Sequence, residues 1–324
     1  MIRLEEVSKV YPAGFWRRRV PVLSGISFEV ARSEIVGFLG PNGAGKTTTI
    51  KIVTGLAFPT AGTVTLFGEA AGGNPRVRRR IGFMPEHPYY YEYLTGREFL
   101  ALCGHLCGME RARLRKRSGE LLEQVGLAAA GDTAIRKYSK GMMQRLGLVQ
   151  AILHEPELVI LDEPMSGLDP MGRMEVRHLI RDLRRGGMTV FFSSHIISDV
   201  EALCDRVVMI HRGRKVAEGS LEGLLGEGGV RSVELTFAPP PGGEAFPGPG
   251  FPEGSWTVQG NLLLLRAPDH GTADRWIGTL TGRGFSLRSC LPVKRSLEEI
   301  YVERVGGEAV RGGGSPSAPP PKAG

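Results

Sequence analysis

No run of about 18 or more apolar residues occurs in these 324 residues, so no membrane-spanning helix is expected. The opening stretch, Met1 to Val10, interleaves Arg3, Glu5, Glu6 and Lys9 with apolar positions, which a secretory signal would not do. The chain is therefore expected to stay in the cytoplasm. Cysteine is scarce: Cys103, Cys107, Cys204 and Cys290 form no CxxC pair. Cys103 and Cys107 lie four apart in a helical-looking run and share a face. No matching Cys/His pair completes a tetrahedral metal site elsewhere, so reduced core thiols are the expected state. Sustained heptads are also missing, which argues against a long coiled coil.

What is present suits a folded protein of two modest domains, with 41% hydrophobic and 23% charged residues. The net charge of +7 is unevenly placed: residues 1–225 hold 31 Lys+Arg against 24 Asp+Glu, and residues 226–324 hold ten of each. Such a balance fits nucleic acid, anionic lipid or nucleotide phosphates, and by itself chooses none of them.

Short apolar runs predict strands at Ile2–Val7, Ile26–Val30, Ile35–Leu39, Thr63–Leu66, Ile81–Met84, Leu158–Leu161, Thr189–Ser193 and Arg206–Ile210. Several are wholly apolar, as in a sheet covered on both faces. His211-Arg212-Gly213-Arg214 reads as a hairpin turn into Lys215–Ala217. Between Arg97 and Ile152 helical spacing takes over, which suggests a helical insertion in an α/β core. Past Leu225, strand-like Ser232–Phe237, Asn261–Arg266 and Phe285–Cys290 alternate with helical Thr272–Thr281 and Leu297–Val305. They predict a small α+β module around a Pro/Gly-dense Pro239–Gly254. From Gly306 onward Gly, Ser, Pro and Ala dominate and a disordered tail is expected.

Two motifs carry chemistry. Gly40-Pro41-Asn42-Gly43-Ala44-Gly45-Lys46-Thr47 follows one predicted strand and opens a predicted helix at Thr48, the context a phosphate-binding loop requires. Glycines let successive N–H groups converge on phosphate oxygens, and the helix N-terminus adds its positive end. Lys46 would reach the β and γ phosphates, and the Thr47 hydroxyl would ligate Mg²⁺. Leu158-Val159-Ile160-Leu161-Asp162-Glu163 then delivers two carboxylates to the end of a buried strand. Asp162 would hold Mg²⁺ through water, and Glu163 would polarise the attacking water.

With these motifs in place, Tyr138-Ser139-Lys140-Gly141-Met142-Met143-Gln144-Arg145 resembles the signature motif of ABC ATPases, at the family's usual spacing before the carboxylates. Ser166-Gly167-Leu168-Asp169 resembles the family's D-loop, and His195 stands where the family has its switch histidine. The resemblance covers residues 1–225. It implies an α/β P-loop NTPase (RecA-like) core with an antiparallel β subdomain and a helical subdomain inserted at about 88–153. A small α+β accessory domain at 226–305 and a tail at 306–324 would follow. It also implies that His195 contacts the γ-phosphate, that Thr48 and Asp169 belong to the nucleotide site, and that Tyr11 stacks on adenine. From the residues alone, a loop or core tyrosine is the alternative reading of Tyr11, which lies just before Pro12–Val20, a stretch that looks like a hairpin loop.

Two departures narrow the subgroup towards exporters of the ABC-2 type, which show both. Lys140-Gly141-Met142 replaces Gly-Gly-Gln, retaining Ser139 and Gly141. Glu86 stands in place of a glutamine near the metal, where it would join the Mg²⁺ water shell. The implied partners are ATP with Mg²⁺, a second copy of the chain in an ATP sandwich, and a separate membrane permease. The chain would sit peripherally on the cytoplasmic face of the membrane, without nucleic acid. Tyr89, Tyr90, Tyr91 and Tyr93 suit a permease contact, with one or two of them expected inside the domain. Arg111, Arg113, Arg115, Lys116 and Arg117 read as a solvated helix face, with anionic headgroups as the alternative partner. A nucleic-acid or ribosome-acting ATPase is disfavoured by the single phosphate loop and by the missing coiled coil and cysteine cluster. A non-hydrolytic module is disfavoured by Glu163.

Overall fold

The computed structural model describes residues 1–13, 18–71, 74–226, 230–252, 254–294 and 296–311. The chain forms two compact units, one built on Met1–Leu221 and one spanning Glu222–Glu303.

The first unit opens on β1 (Ile2–Ala13) and β2 (Arg18–Val30), antiparallel partners from Ile2↔Val30 out to Ala13↔Arg18. Pro12–Val20, expected to be a hairpin loop, is therefore strand wherever it is described. Backbone pairing persists there without hydrophobic alternation; Pro12 and Val20, for example, are both exposed. Next come β3 (Ile35–Leu39), α1 (Lys46–Val53), β4 (Ala61–Leu66), β5 (Glu69–Ala70), α2 (Pro75–Arg78) and β6 (Ile81–Met84). Three helices follow, α3 (Gly96–Leu106), α4 (Arg111–Gln124) and α5 (Lys140–Ile152). Then β7 (Leu158–Asp162), α6 (Pro170–Arg185), β8 (Thr189–Ser194), α7 (Ile197–Leu203), β9 (Arg206–His211) and β10 (Arg214–Ser220) close the unit's elements, and α8 (Leu221–Gly226) opens the second unit.

One sheet has the order β2-β1-β4-β5 and the other β10-β9-β3-β8-β7-β6. In the second sheet, β6, β7, β8, β3 and β9 are all parallel. The segments Ile35–Leu39, Leu158–Asp162 and Thr189–Ser194 are buried at every position, as continuous apolar runs covered on both faces should be. Helix α1 packs on β2 and β4 of one sheet and on β7 of the other. Its Thr49, Ile50, Ile52 and Val53 are buried in the core shared with Phe28, Phe38 and Phe191. Because the strands run parallel, the carboxyl ends of β3, β6, β7 and β8 fall on one edge, where open α/β sheets hold ligands.

The insertion between β6 and β7 is helical because each helix starts with a cap. Thr95 and Glu98 form a reciprocal capping box on α3, Glu110 accepts from Ala112 N and Arg113 N, and Ser139 caps α5. In the basic run of α4, Arg113 and Arg117 both pair with Glu155, and Lys116 pairs with Glu120. Of the four clustered tyrosines, Tyr89, Tyr91 and Tyr93 are exposed. Tyr90 is not: its hydroxyl donates to Met143 O at 2.6 Å and its ring meets Phe99 edge-on. Burial raises its pKa well above the usual tyrosine value.

In the second unit, β11 (Val230–Ala238), β12 (Trp256–Gln259), β13 (Leu262–Ala267) and β14 (Ser286–Lys294) form an antiparallel sheet of order β12-β13-β11-β14. Helix α9 (His270–Gly282), capped by Asp269, packs against it and buries Ala273, Trp276 and Leu280 over Val233, Leu235, Phe237, Leu263 and Leu265. Strand β12 lies where the sequence pattern marks no strand. Helix α10 (Leu297–Arg311) runs past Gly306, where the tail was expected to begin, and residues 312–324 lie outside the described residues. The cysteines also need correcting. Only Cys204 is buried; Cys103 is half-buried, and Cys107 and Cys290 are exposed. Burial pushes the Cys103 thiol up to about 11 and Cys204 well above the usual value.

Candidate active site

The loop between β3 and α1 turns through two glycines with left-handed backbones, Gly43 at φ 78° and Gly45 at φ 109°. A side chain at Gly45 would also place its Cβ 2.6 Å from Leu23 Cδ2, so only glycine fits there. The loop bends Lys46 back on itself. Its ammonium donates to Gly40 O at 2.8 Å and Pro41 O at 3.2 Å, with only 6% of the residue exposed. Ala44 is buried, and its carbonyl accepts from Gly213 N at 2.9 Å. A cleft of ≈ 280 Å³ opens over this loop, lined by Val22, Asn42, Gly43, Gly45, Lys46, Thr47, Thr48, Glu86 and Glu163.

The carboxylates arrive from the end of β7. Asp162 is 2% exposed and Glu163 6% exposed. Glu163 Oε1 lies 3.1 Å from Lys46 Nζ as an ion pair outside hydrogen-bond alignment, and Oε2 lies 2.9 Å from His195 Nδ1. Facing an ionised carboxylate, which only accepts, Nδ1 carries the proton. Glu163 itself has φ 50°, a left-handed backbone at a residue with a side chain. Ser193 Oγ, at the end of β8, accepts from Glu163 N at 3.0 Å and donates to Asp162 Oδ1 at 2.6 Å. Burial raises the Asp162 carboxyl above its usual range. Hydrogen bonds from Ser193 and Thr47 oppose the rise, and the charges of Glu86 and Glu163 add to it.

The edge of the sheet thus gathers Lys46, Thr47, Thr48, Glu86, Asp162, Glu163 and His195. Tyr11 does not line the cleft. It pairs with Val20 across the β1–β2 ladder, two residues along β2 from the cleft residue Val22, with Lys9 Nζ 4.8 Å from its ring centroid. Ser139, Gly141 and Asp169 do not line it either. Ser139 Oγ caps α5 by accepting from Met142 N at 3.2 Å, and Asp169 Oδ1 caps α6 by accepting from Gly172 N at 2.8 Å.

Two residues that touch the carboxylate turn escaped the sequence reading. Ser193 reads as an ordinary strand position and carries no local signal. Gln144 does carry one: an amide on the helix face that also buries Leu148 and Ile152. Its Nε2 donates to Pro164 O at 2.7 Å.

A phosphate-type loop, a buried lysine and a carboxylate held by a histidine make a nucleotide hydrolysis site, and the similarities agree. Residues 23–166 match the family model described as ABC transporter. An uncharacterised ABC transporter ATP-binding protein of Nostoc sp. is 45% identical over 94% of this chain and 90% of its own length. The chain belongs to the ABC transporter ATP-binding family. This ABC subunit is also 40% identical to the Nod factor export ATP-binding protein I of Paraburkholderia xenovorans, over 68% of this chain and 73% of that one. Among solved structures it resembles the ATP-binding cassette MJ0796, described as a dimer in a post-hydrolysis state bound to ADP and Pi. There the TM-score is 0.63 with 25% identity, over 68% of this chain and 99% of that one. The ABC subunit is an ATPase, and the P-loop fold expected from the resemblance is the fold observed. Among the described residues no helix is long and apolar enough to cross a membrane.

Proposed function

We propose that the ABC subunit works as a pair of copies that sandwich two ATP molecules and drive a separate permease, and that it serves export. The observation that carries this reading is the division of the motifs. The phosphate loop and Glu163 share one cleft, whereas Ser139 and Asp169, which cap helices, and Gly141, in the first turn of α5, do not line it and await a nucleotide held by another copy. The dimer described for the MJ0796 cassette and the export role of the Nod factor relative support the reading. The exposed Tyr89, Tyr91 and Tyr93 offer apolar area with polar tips for the permease.

Within each cleft, the N–H groups of 40–48 and Lys46 would hold the phosphates, and Tyr11 would flank the base. Thr47 and Asp162 suit Mg²⁺: both are oxygen donors, and they hydrogen-bond to each other within a cluster that also holds Glu86 and Glu163. Among the described residues no group of three His, Cys, Asp or Glu side chains forms a metal cage, so the nucleotide would complete the coordination. Mg²⁺ would neutralise charge on the phosphate oxygens. Lys46, now engaged with Glu163, would turn its charge to the γ-phosphate and free the carboxylate to accept the proton of the attacking water. His195 would hold the carboxylate in line.

Glu163→Gln tests this. The amide oxygen still accepts, from Lys46 or from the Nδ1–H of His195, and the side chain keeps its size, so nucleotide binding should survive. Loss of the base should lower turnover by about 10²–10⁴-fold. On a sizing column Glu163→Gln should elute as a monomer alone or with ADP and as a dimer with Mg·ATP, and adding Lys46→Ala should abolish the shift. Turnover near the parent rate would overturn the base assignment. A monomer under all conditions would overturn the sandwich.

A further inference from the structure

We propose that Gln144 is a positioning residue for hydrolysis, holding Glu163 to its aim from within helix α5. The proposal rests on the reading of Glu163 as the base.

Gln144 is the fifth residue of α5 and 5% exposed, on a helix whose other buried residues are Leu146, Gly147, Leu148, Val149, Ala151 and Ile152. A buried amide in such company needs partners. Its Nε2 has them in the carbonyls of Pro164 at 2.7 Å and Glu163 at 3.5 Å. These are the carbonyls that follow the left-handed Glu163. Backbone of that kind at a residue with a side chain persists only where the surroundings hold it. Two side chains do so from opposite ends. Ser193 Oγ accepts the Glu163 N–H, and Gln144 takes the carbonyl side. With the peptide planes on both sides restrained, the Cα–Cβ direction of Glu163 is set, and with it the carboxylate between Lys46 and His195.

A neighbouring stretch of α5 is fixed as well. Tyr90 Oη donates to Met143 O, one residue before Gln144, and a Cβ at Gly147 would fall 2.8 Å from the tyrosine hydroxyl. Glycine at 147 therefore lets the tyrosine seat on the helix. Ser139 caps helix α5 and Gly141 lies in its first turn, so the element that carries the signature residues also carries the amide that steers Glu163.

The test uses the full chain and three variants: Gln144→Leu, Gln144→Glu and Glu163→Gln. Steady-state kcat, KM and pH profiles are measured, with a fluorescent ATP analogue reporting nucleotide affinity. Leucine fills the space without donating. A misplacement of about 1 Å at a reacting group costs up to ~10²-fold, so Gln144→Leu should lower kcat roughly 10–100-fold with KM and analogue affinity within about threefold. Gln144→Glu should be equally slow while its carboxylate is ionised. Burial raises the pKa of such a group, and once protonated it donates to Pro164 O again. The ratio of Gln144→Glu to parent kcat should therefore climb as pH falls, while the ratio for Gln144→Leu stays flat. If Gln144→Leu does not fold, the Gln144→Glu ratio decides alone. Parental kcat in Gln144→Leu, or a flat Gln144→Glu ratio, overturns the proposal. If Glu163→Gln is inactive in the same assay, the base reading survives that failure. If Glu163→Gln is as fast as the parent, both fall.

Discussion

Ser193→Ala removes one oxygen that serves both carboxylate residues. Ser193 is fully buried, and its hydroxyl accepts from Glu163 N at 3.0 Å and donates to Asp162 Oδ1 at 2.6 Å. The variant leaves a buried N–H and a buried carboxylate oxygen each without this partner. At about 1–3 kcal/mol per stranded group, and with Thr47 still bonded to Asp162, a total of about 2–4 kcal/mol follows. For a unit of this size that is roughly a 4–16 °C fall in Tm. A second effect comes through Asp162. Its carboxyl already stands above the usual range because of burial, and the Ser193 bond is the strongest influence opposing that rise. Without the bond, the carboxyl goes higher still. A group whose folded pKa is raised binds protons more readily folded than unfolded, so apo stability falls as pH rises from 3.8 through the folded value. Mg²⁺ binding needs the ionised form, so the variant should require a higher pH, or more Mg²⁺, to reach half-maximal ATPase activity. Thermal melts with and without Mg·ATP, and Mg²⁺ titrations at several pH values, measure both effects. A variant that melts with the parent and shows the same Mg²⁺ dependence across pH would refute the bridging role of Ser193.

Tyr89→Ala with Tyr91→Ala should leave the ATPase rate of the isolated subunit unchanged and abolish co-purification with its permease; retained association would remove these residues from the docking surface. Because every nucleotide motif precedes Leu225, a chain of residues 1–225 should bind Mg·ATP with about the parent affinity, as measured by calorimetry, and a folded fragment that does not bind would assign part of the site to the second unit. Glu157 is held below the usual carboxylate range, chiefly by its hydrogen bond to Arg80, so its stabilising effect exists above 4.5 and fades as pH falls through the lower folded value. The Tm difference between parent and Glu157→Gln should shrink below about pH 4.5, and a difference that does not change with pH would refute the pairing.

Much of this protein could be read from contiguous residues, because its most telling features are local. Gly40 to Thr47 announce a phosphate loop, since the left-handed turns at Gly43 and Gly45 and the start of α1 depend on neighbours a few residues away. The apolar runs ending in Asp162 and Ser194 announce buried parallel strands, since a strand covered on both faces needs no alternation. The hairpin between β1 and β2 was harder, because its outer pairs are solvated and backbone bonding leaves no mark on side-chain pattern. The contacts that make the cleft reactive lie further apart. Lys46 meets Glu163 across more than a hundred residues, His195 meets it across 32, Ser193 reaches Asp162 across 31, and Gln144 reaches Pro164 across 20. Nothing in spacing brings such residues together. Sheet order does, by setting β7 and β8 side by side next to β3 with their carboxyl ends on one edge, and the packing of α5 brings the Gln144 amide up to that edge. The same is true of Tyr90: its neighbours Tyr89 and Tyr91 face solvent, and only its seat on α5 distinguishes it. Local sequence specifies which groups are available, and the parallel register of the strands determines which of them meet.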